Sequence, residues 1–351
     1  MTNKDKYGDV FKFFQRSFDR EITDIGKVLG KGAFGEVRDI KFKNKNMAGK
    51  LIENESEQKS EEEQLALELR GQNIIRINKI YSKHYKDKYY DLVIMEKAIL
   101  RDLGKLNEFF HRHNLLKLIY DDVFDEKSGD NLLRFYSRQI INALEVLDRN
   151  NYIHFDIKPE NLLITVNLII KLSDFSLLRK IGDEKIKLPG GTPGYITPEY
   201  FIEKYVSSDL AKKQDYFALG SSLFILKYGV ALLKYRKNDD GKLNSDRIID
   251  LIIRNISYIK SRQVTDKDFM DFLISLIQHN PENRPSFEQI YRNKWLNKNC
   301  DELDKVVMAF ESDEEKLIME LQKNDFLSEK EKKLKENKNN LFKFRFKKKM
   351  N

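Results

Sequence analysis

Apolar and polar positions alternate through about the first hundred residues and then change to a helical spacing. Residues 22–29 alternate weakly before a glycine-rich run, and residues 38–42 and 47–52 form two short segments around a Lys/Asn turn. Residues 74–82 and 89–96 repeat the pattern. A period of two in β-branched and aromatic residues is the mark of half-buried strands. Residues 55–70 between them are charged, with Leu65, Leu67 and Leu69 embedded, a helical composition. The pattern predicts a small antiparallel sheet with one helix.

Beyond Leu103 the chain reads as helix. Residues 131–149 carry Leu132, Phe135, Tyr136, Ile140, Leu144 and Leu147 at steps of three or four, one apolar face of a long helix. Residues 215–227, 245–259, 266–278 and 286–293 supply further helices, punctuated by Pro281 and Pro285. Residues 105–130 receive no assignment, and no fixed-period repeat is visible. Residues 1–20 have neither a sustained apolar core nor a small-residue cleavage site, so no secretory signal is read there. The most apolar long stretch, residues 216–233, contains Lys227 and two glycines and reads as a buried helix rather than a membrane span.

Charge and cysteine content narrow the setting. The single cysteine, Cys300, excludes an intrachain disulfide framework and fits a reducing, intracellular location, cytoplasmic or nuclear. Of the net charge of +8, residues 328–351 hold seven, with ten Lys/Arg against three Glu. The body is thus nearly neutral, so its charge gives no sign of a nucleic-acid partner, and no specific one is expected. Residues 298–327 are acidic, with Val306, Val307, Phe310, Leu317, Ile318 and Leu321 usable as one helical stripe. The basic end beyond them reads as a flexible tail, or as a patch for an anionic membrane or the import machinery.

Three constellations carry chemistry. The first is Gly30-Lys31-Gly32-Ala33-Phe34-Gly35-Glu36-Val37, where three glycines let backbone amides approach phosphate oxygens. GxGxxG alone also fits dinucleotide folds, but here a strand follows rather than a helix. The second is Met47-Ala48-Gly49-Lys50, fifteen residues on from Gly35. The third is His154-Phe155-Asp156-Ile157-Lys158-Pro159-Glu160-Asn161, followed by Asp174-Phe175-Ser176. Two acids, a lysine and an amide are the groups that hold a divalent metal, position a hydroxyl and move a phosphoryl group.

Together these motifs resemble the eukaryotic protein kinases, from about residue 22 to residue 296. The resemblance implies an α+β bilobal fold: a small antiparallel β-sheet lobe with one helix (22–97) and a larger, mainly helical lobe (98–297), after an N-terminal extension (1–21). It implies ATP and Mg²⁺, with Mn²⁺ as an alternative, and protein substrates. Gly30, Gly32, Gly35 and Val37 would cover the nucleotide, with Ala48, Met95 and Leu163 around adenine and Glu96 and Ala98 in the hinge. Lys50 would meet the α/β-phosphates and pair with a helical glutamate. Of Glu61, Glu62 and Glu63, Glu62 places Leu65 and Leu69 on one inward face. Asp156 would orient the substrate hydroxyl, Lys158 would neutralise the transferred phosphoryl group, and Asn161 and Asp174 would bind metal. Lys158 in Asp-x-Lys-Pro-Glu-Asn and Thr192 in Gly191-Thr192-Pro193-Gly194-Tyr195 match the serine/threonine type. Glu199 of Thr197-Pro198-Glu199 is expected to pair with Arg284, Asp215 to hold the catalytic loop backbone, and Trp295 to close the domain.

The chain departs from the family at two places. Phe155 replaces the arginine that commonly binds an activation-segment phosphate, and residues 177–191 contain no Ser, Thr or Tyr. Receptor and acceptor are missing together, so activity is expected without phosphorylation there. Ser176 replaces the glycine after Asp174-Phe175, which implies a stiffer switch. Asn238-Asp239-Asp240-Gly241 resembles a calcium loop, but Arg236 and Arg247 would stand at its end positions. Glu160 favours a basic peptide weakly, while Ile225 stands where an acid would reinforce it. The competing reading is a pseudokinase that binds ATP as a scaffold. All five of Lys50, Asp156, Lys158, Asn161 and Asp174 are present, which favours the enzyme.

Overall fold

The computed structural model describes residues 6–32, 35–54, 66–98, 100–113, 128–165, 168–182, 184–203, 205–233, 245–261 and 266–298. Glu62, Cys300, residues 238–241 and the segments from 299 to 351 lie outside them. The strands β1 (Ile22–Gly32), β2 (Gly35–Phe42), β3 (Lys45–Asn54), β4 (Ile77–Tyr85) and β5 (Lys88–Met95) form a five-stranded antiparallel sheet in the order β1-β2-β3-β5-β4. Lys43 and Asn44, at φ 47° and 62°, make the two-residue turn whose twist suits a hairpin. Gly49 lies tight against its neighbours: a Cβ there would sit 2.0 Å from the end of the Ile40 side chain, which would have to shift. β1 runs three residues past its expected end because the ladder continues to the Gly32–Gly35 pair.

One face of this sheet is covered by an element the sequence reading left unassigned. Helix α1 (Lys6–Ser17) buries Val10, Phe11 and Phe14 against Ile40, Phe42, Leu51, Leu92 and Ile94. Phe11 and Phe14 are fully buried, each contributing about 2 kcal/mol of transfer energy. Phe18, just past the helix, lies against Tyr81, with ring centroids 4.0 Å apart.

The rest is helical: α2 (Leu103–His113), α3 (Ser128–Arg149), α4 (Glu199–Ile202), α5 (Ser208–Tyr228), α6 (Ser245–Ser261), α7 (Lys267–Leu276) and α8 (Phe287–Tyr291). Within the unassigned 105–130 region, α2 is the described part as far as His113. Helix α3 buries Leu132, Tyr136, Ile140, Leu144 and Leu147, as the periodicity predicts, with Phe135 half-buried. Helix α5 starts well before residue 215 because the Ser207 side chain caps Leu210 N, and it stops at Gly229, at φ 69°. Its middle is buried from Gln214 to Phe224. Among the described residues no helix is long and apolar enough to cross a membrane. Trp295 is fully buried against Phe269 and Phe272 of α7. Short strands complete the frame: β6 (Tyr152–Ile153) pairs with β9 (Arg179–Lys180), β7 (Leu162–Ile164) with β8 (Ile170–Leu172), and β10 (Ile186–Lys187) with β11 (Tyr205–Val206). One apolar core runs from Ala48 and Met95 through α3 to Trp295, so the sheet and the helices share it.

Candidate active site

The loop between β6 and β7 is held from below by α5. Both oxygens of the Asp215 carboxyl accept a backbone N–H, one from His154 and one from Phe155, each at 2.8 Å. Burial pushes this carboxyl up to about 7, against the pull of the two N–H groups. His154 is itself buried, which drives its pKa down to about 4 despite neighbouring carboxylates and leaves the ring neutral. Its Nδ1 accepts from Asp156 N (3.2 Å), so Nε2 carries the proton and donates to Ser173 O (3.1 Å). That one ring joins the loop to the residue before Asp174.

Asp156 sits at the centre of a closed set. Its Oδ2 accepts from Lys158 Nζ (2.6 Å) and Asn161 Nδ2 (2.9 Å), and its Oδ1 accepts from Thr192 Oγ1 (2.7 Å). Lys158 Nζ also donates to Thr192 Oγ1 at 2.5 Å. Asn161 Nδ2 donates again to Asp156 O (2.8 Å), so the amide nitrogen is committed and the oxygen is its remaining donor atom for a cation. The Asn161 backbone carbonyl accepts from Ser173 N and Ser173 Oγ, which brings the Asp174 segment alongside.

Across the cleft, Lys50 of β3 is buried between Val37 of β2 and Val93 of β5, and its Nζ lies 2.8 Å from Asp174 Oδ1. Burial would raise the Asp174 carboxyl, but the Lys50 charge and hydrogen bond overcome it. The group is thereby drawn down to about 2 and is ionised at neutral pH. Asp174 and Phe155 both adopt φ 63°, a left-handed conformation that is uncommon for such residues and clusters at functional sites.

The glycine run forms the tip of the β1–β2 hairpin. Gly35 lies so close to β3 that a Cβ would meet Leu51 O at 1.8 Å, whereas nothing lies within 4 Å of a Cβ at Gly30. Ala48 and Met95 are cross-strand neighbours, and Val37 and Leu163 pack on the same core. The hinge is tied in both directions. Glu96 exchanges bonds with the Arg76 backbone and pairs with Lys171 of β8 at 3.0 Å, while Lys97 pairs with Asp39 of β2 at 2.6 Å. Ala98 is half-buried beside them. The spacing of motifs gave no sign of either pair, because each partner lies on a distant strand.

The remaining anchors are formed. Arg284 meets Glu199 through a two-toothed pair, Nη1–Oε1 at 2.6 Å and Nη2–Oε2 at 2.9 Å, with neither side chain open to solvent. Phe155 lies in an apolar cluster with Ile153, Ile186, Leu188, Val206 and Ala211. For a cation, the donors at hand are the ionised Asp174 carboxylate and the Asn161 oxygen, both hard ligands that suit Mg²⁺. Among the described residues no three or more His, Cys, Asp or Glu are grouped so that they could hold a metal ion by themselves.

The comparisons agree with this geometry. Residues 23–296 match the family profile described as Protein kinase domain. An Aurora kinase of Schizosaccharomyces pombe is 28% identical over 295 residues, covering 82% of this chain and 74% of that protein. The Saccharomyces cerevisiae Aurora kinase is 27% identical over 81% of this chain and 71% of its own length. Serine/threonine-protein kinase MRCK beta of Rattus norvegicus is 30% identical over 60% of this chain but only 12% of its own length. The bilobal arrangement, the matched profile and these relatives place the chain in the eukaryotic protein kinase superfamily, as a member of the serine/threonine type.

Proposed function

We propose that this chain transfers the γ-phosphate of ATP to Ser/Thr hydroxyls of protein substrates and does so without activation-segment phosphorylation. The observation that carries the reading is Asp156, whose carboxylate is fixed by Lys158, Asn161 and Thr192 opposite the Lys50–Asp174 pair. Asp156 orients the acceptor hydroxyl and takes its proton as the phosphoryl group leaves ATP. Lys158 turns from Asp156 toward the charge on the transferred group, and Lys50 turns to the α/β-phosphates. Gly30, Gly32 and Gly35 present amides to phosphate, Val37, Ala48, Met95 and Leu163 enclose the base, and the Glu96 and Ala98 backbone meets its edge. Asn161 and Asp174 hold Mg²⁺, or Mn²⁺ in its place, which neutralises phosphate charge when bound.

Phosphate independence rests on the cluster around Phe155. A phosphorylated segment is commonly ordered by charge on an arginine. Here an apolar side chain occupies that position and packs against Ile186 and Leu188 of the segment, while β10 pairs with β11. The test is transfer of labelled γ-phosphate from Mg·ATP to a generic Ser/Thr protein by phosphatase-treated protein, beside an Asp156→Asn variant. Transfer that disappears in the variant is the expected result. ATP binding without transfer would turn the reading to a pseudokinase scaffold, and activity lost on dephosphorylation of Thr192 or Tyr195 would overturn phosphate independence.

A further inference from the structure

Glu36 stands one residue past the last glycine of the phosphate-loop hairpin, and only 1% of its side chain is exposed. A carboxylate so enclosed needs cationic partners. It has two, one on each strand. Arg38 Nε of β2 donates to Oε1 at 2.6 Å, and Lys31 Nζ of β1 lies 2.9 Å from Oε2. Lys31 and Glu36 are opposite in register, next to the closing Gly32–Gly35 pair. Strand alternation puts Glu36 and Arg38 on the sheet face that carries Ile40 and Phe42, away from the cleft that Val37 faces. On that face the Arg38 guanidinium lies over the ring of Phe11 in α1, 5.2 Å from its centroid.

We infer that α1 is a positioning element of the phosphate-binding hairpin, acting through the relay Phe11, Arg38, Glu36 and Lys31. The ring fixes the guanidinium, the guanidinium fixes the buried carboxylate, and the carboxylate ties together the two strands whose tip carries the glycines. A hairpin held this way before binding loses less freedom when phosphate arrives. Phe11, Arg38 and Glu36 lie on the sheet face away from the cleft, so their effect should appear only in ligands that use the loop. This inference rests on the nucleotide-binding reading above.

The experiment is calorimetric titration of the full chain with Mg·ATP and, separately, with adenosine, which lacks phosphates. Arg38→Met removes the charge and keeps the stem, Phe11→Leu removes only the ring, and Arg38→Lys restores a cation. Mg·ATP affinity is expected to fall about tenfold in Arg38→Met and about fivefold in Phe11→Leu, the scale of a lost cation–π contact or charged hydrogen bond. Arg38→Lys should recover most of the loss, and adenosine should bind within about twofold of wild type throughout, well under 1 kcal/mol. Unchanged ATP affinity in Arg38→Met would overturn the relay. So would ATP and adenosine weakening together, since that marks general loss of structure. A wild-type chain that bound neither ligand would instead remove the nucleotide reading on which the relay depends.

Discussion

Replacing Phe155 by alanine tests whether apolar packing does here what phosphate does in other kinases. Phe155 is 6% exposed and belongs to a cluster separate from the main core, shared with Ile186 and Leu188 of the activation segment and Val206 beyond it. Truncating a buried phenylalanine costs about 3–5 kcal/mol, and the small size of this cluster favours the lower end. Alanine meets the same left-handed backbone as phenylalanine, so the φ of 63° adds nothing to the difference. The Phe155 and His154 N–H groups remain on Asp215, and Asp156 keeps its partners. The loss therefore falls on the docking of residues 186–206 rather than on the catalytic loop. About 3 kcal/mol shifts a docking equilibrium by roughly a hundredfold. The assay pairs steady-state kinetics on a protein substrate with ATP titration. Turnover is expected to drop about ten- to a hundredfold while ATP affinity stays within about threefold. Wild-type turnover in a folded variant would refute the reasoning, and so would ATP affinity falling in step with turnover.

Glu199→Gln leaves the buried Arg284 guanidinium without its counter-charge, which costs about 3 kcal/mol and lowers the melting temperature by about 6 °C. A calorimetric midpoint unchanged from wild type would contradict it. Phe14→Ala should cost about 3–5 kcal/mol in urea unfolding, and a loss below about 1 kcal/mol would show that α1 is not packed as described. Asp215 has a folded pKa raised to about 7, so between about 4 and 7 the native state holds a proton the unfolded chain has lost and stability falls as pH rises. Neutral His154, lowered to about 4, acts oppositely between about 4 and 6.5, and the two largely cancel. Asp215→Asn therefore shifts the stability gap in the variant's favour by about 3 kcal/mol from pH 4.5 to 7.5, and a gap that does not move with pH would sink the argument. Asp174→Asn should bind ATP in a chelator more tightly than wild type yet lose turnover in Mg²⁺, and weaker metal-free binding would count against it.

Much of the site was legible because its groups come from short contiguous runs. Asp156, Lys158 and Asn161 lie within one turn of chain, so their spacing already implies their meeting. Lys50 and the glycines lie on one alternating hairpin system, which the β pattern exposes. What was not legible depends on partners that no local pattern names. The apolar stripe of α1 is short and set among charges, and it becomes a core only against the outer face of β2, β3 and β5. The pairs Lys97–Asp39 and Glu96–Lys171 need the sheet order, which brings β2 and β8 to the hinge from opposite sides. The early start of α5 could have been found, since Ser207 is an ordinary capping residue ahead of Asp209. Thr192 was read as a marker of substrate type, and its bonds to Asp156 and Lys158 came only with the fold.

The charge arrangement explains why such a site calls for a divalent cation. In the resting chain each reactive carboxylate is matched with one lysine, Asp156 with Lys158 and Asp174 with Lys50. Under the proposed function both lysines are also the cations that phosphate would attract. Turning them to phosphate uncovers two anions beside an incoming polyanion, and Asp174, with a pKa near 2, cannot relieve the clash by taking a proton at neutral pH. Protonating Asp156 would block its work on the hydroxyl. Under the proposed function, a divalent cation held by Asp174 and the Asn161 oxygen would restore balance by supplying positive charge to the phosphates. Asn161 would serve both ends of this exchange: its amide nitrogen steadies Asp156, and its side-chain oxygen would be the atom offered to the metal. On that reading, the pairing of each acid with a lysine is a resting state that nucleotide binding would reorganise.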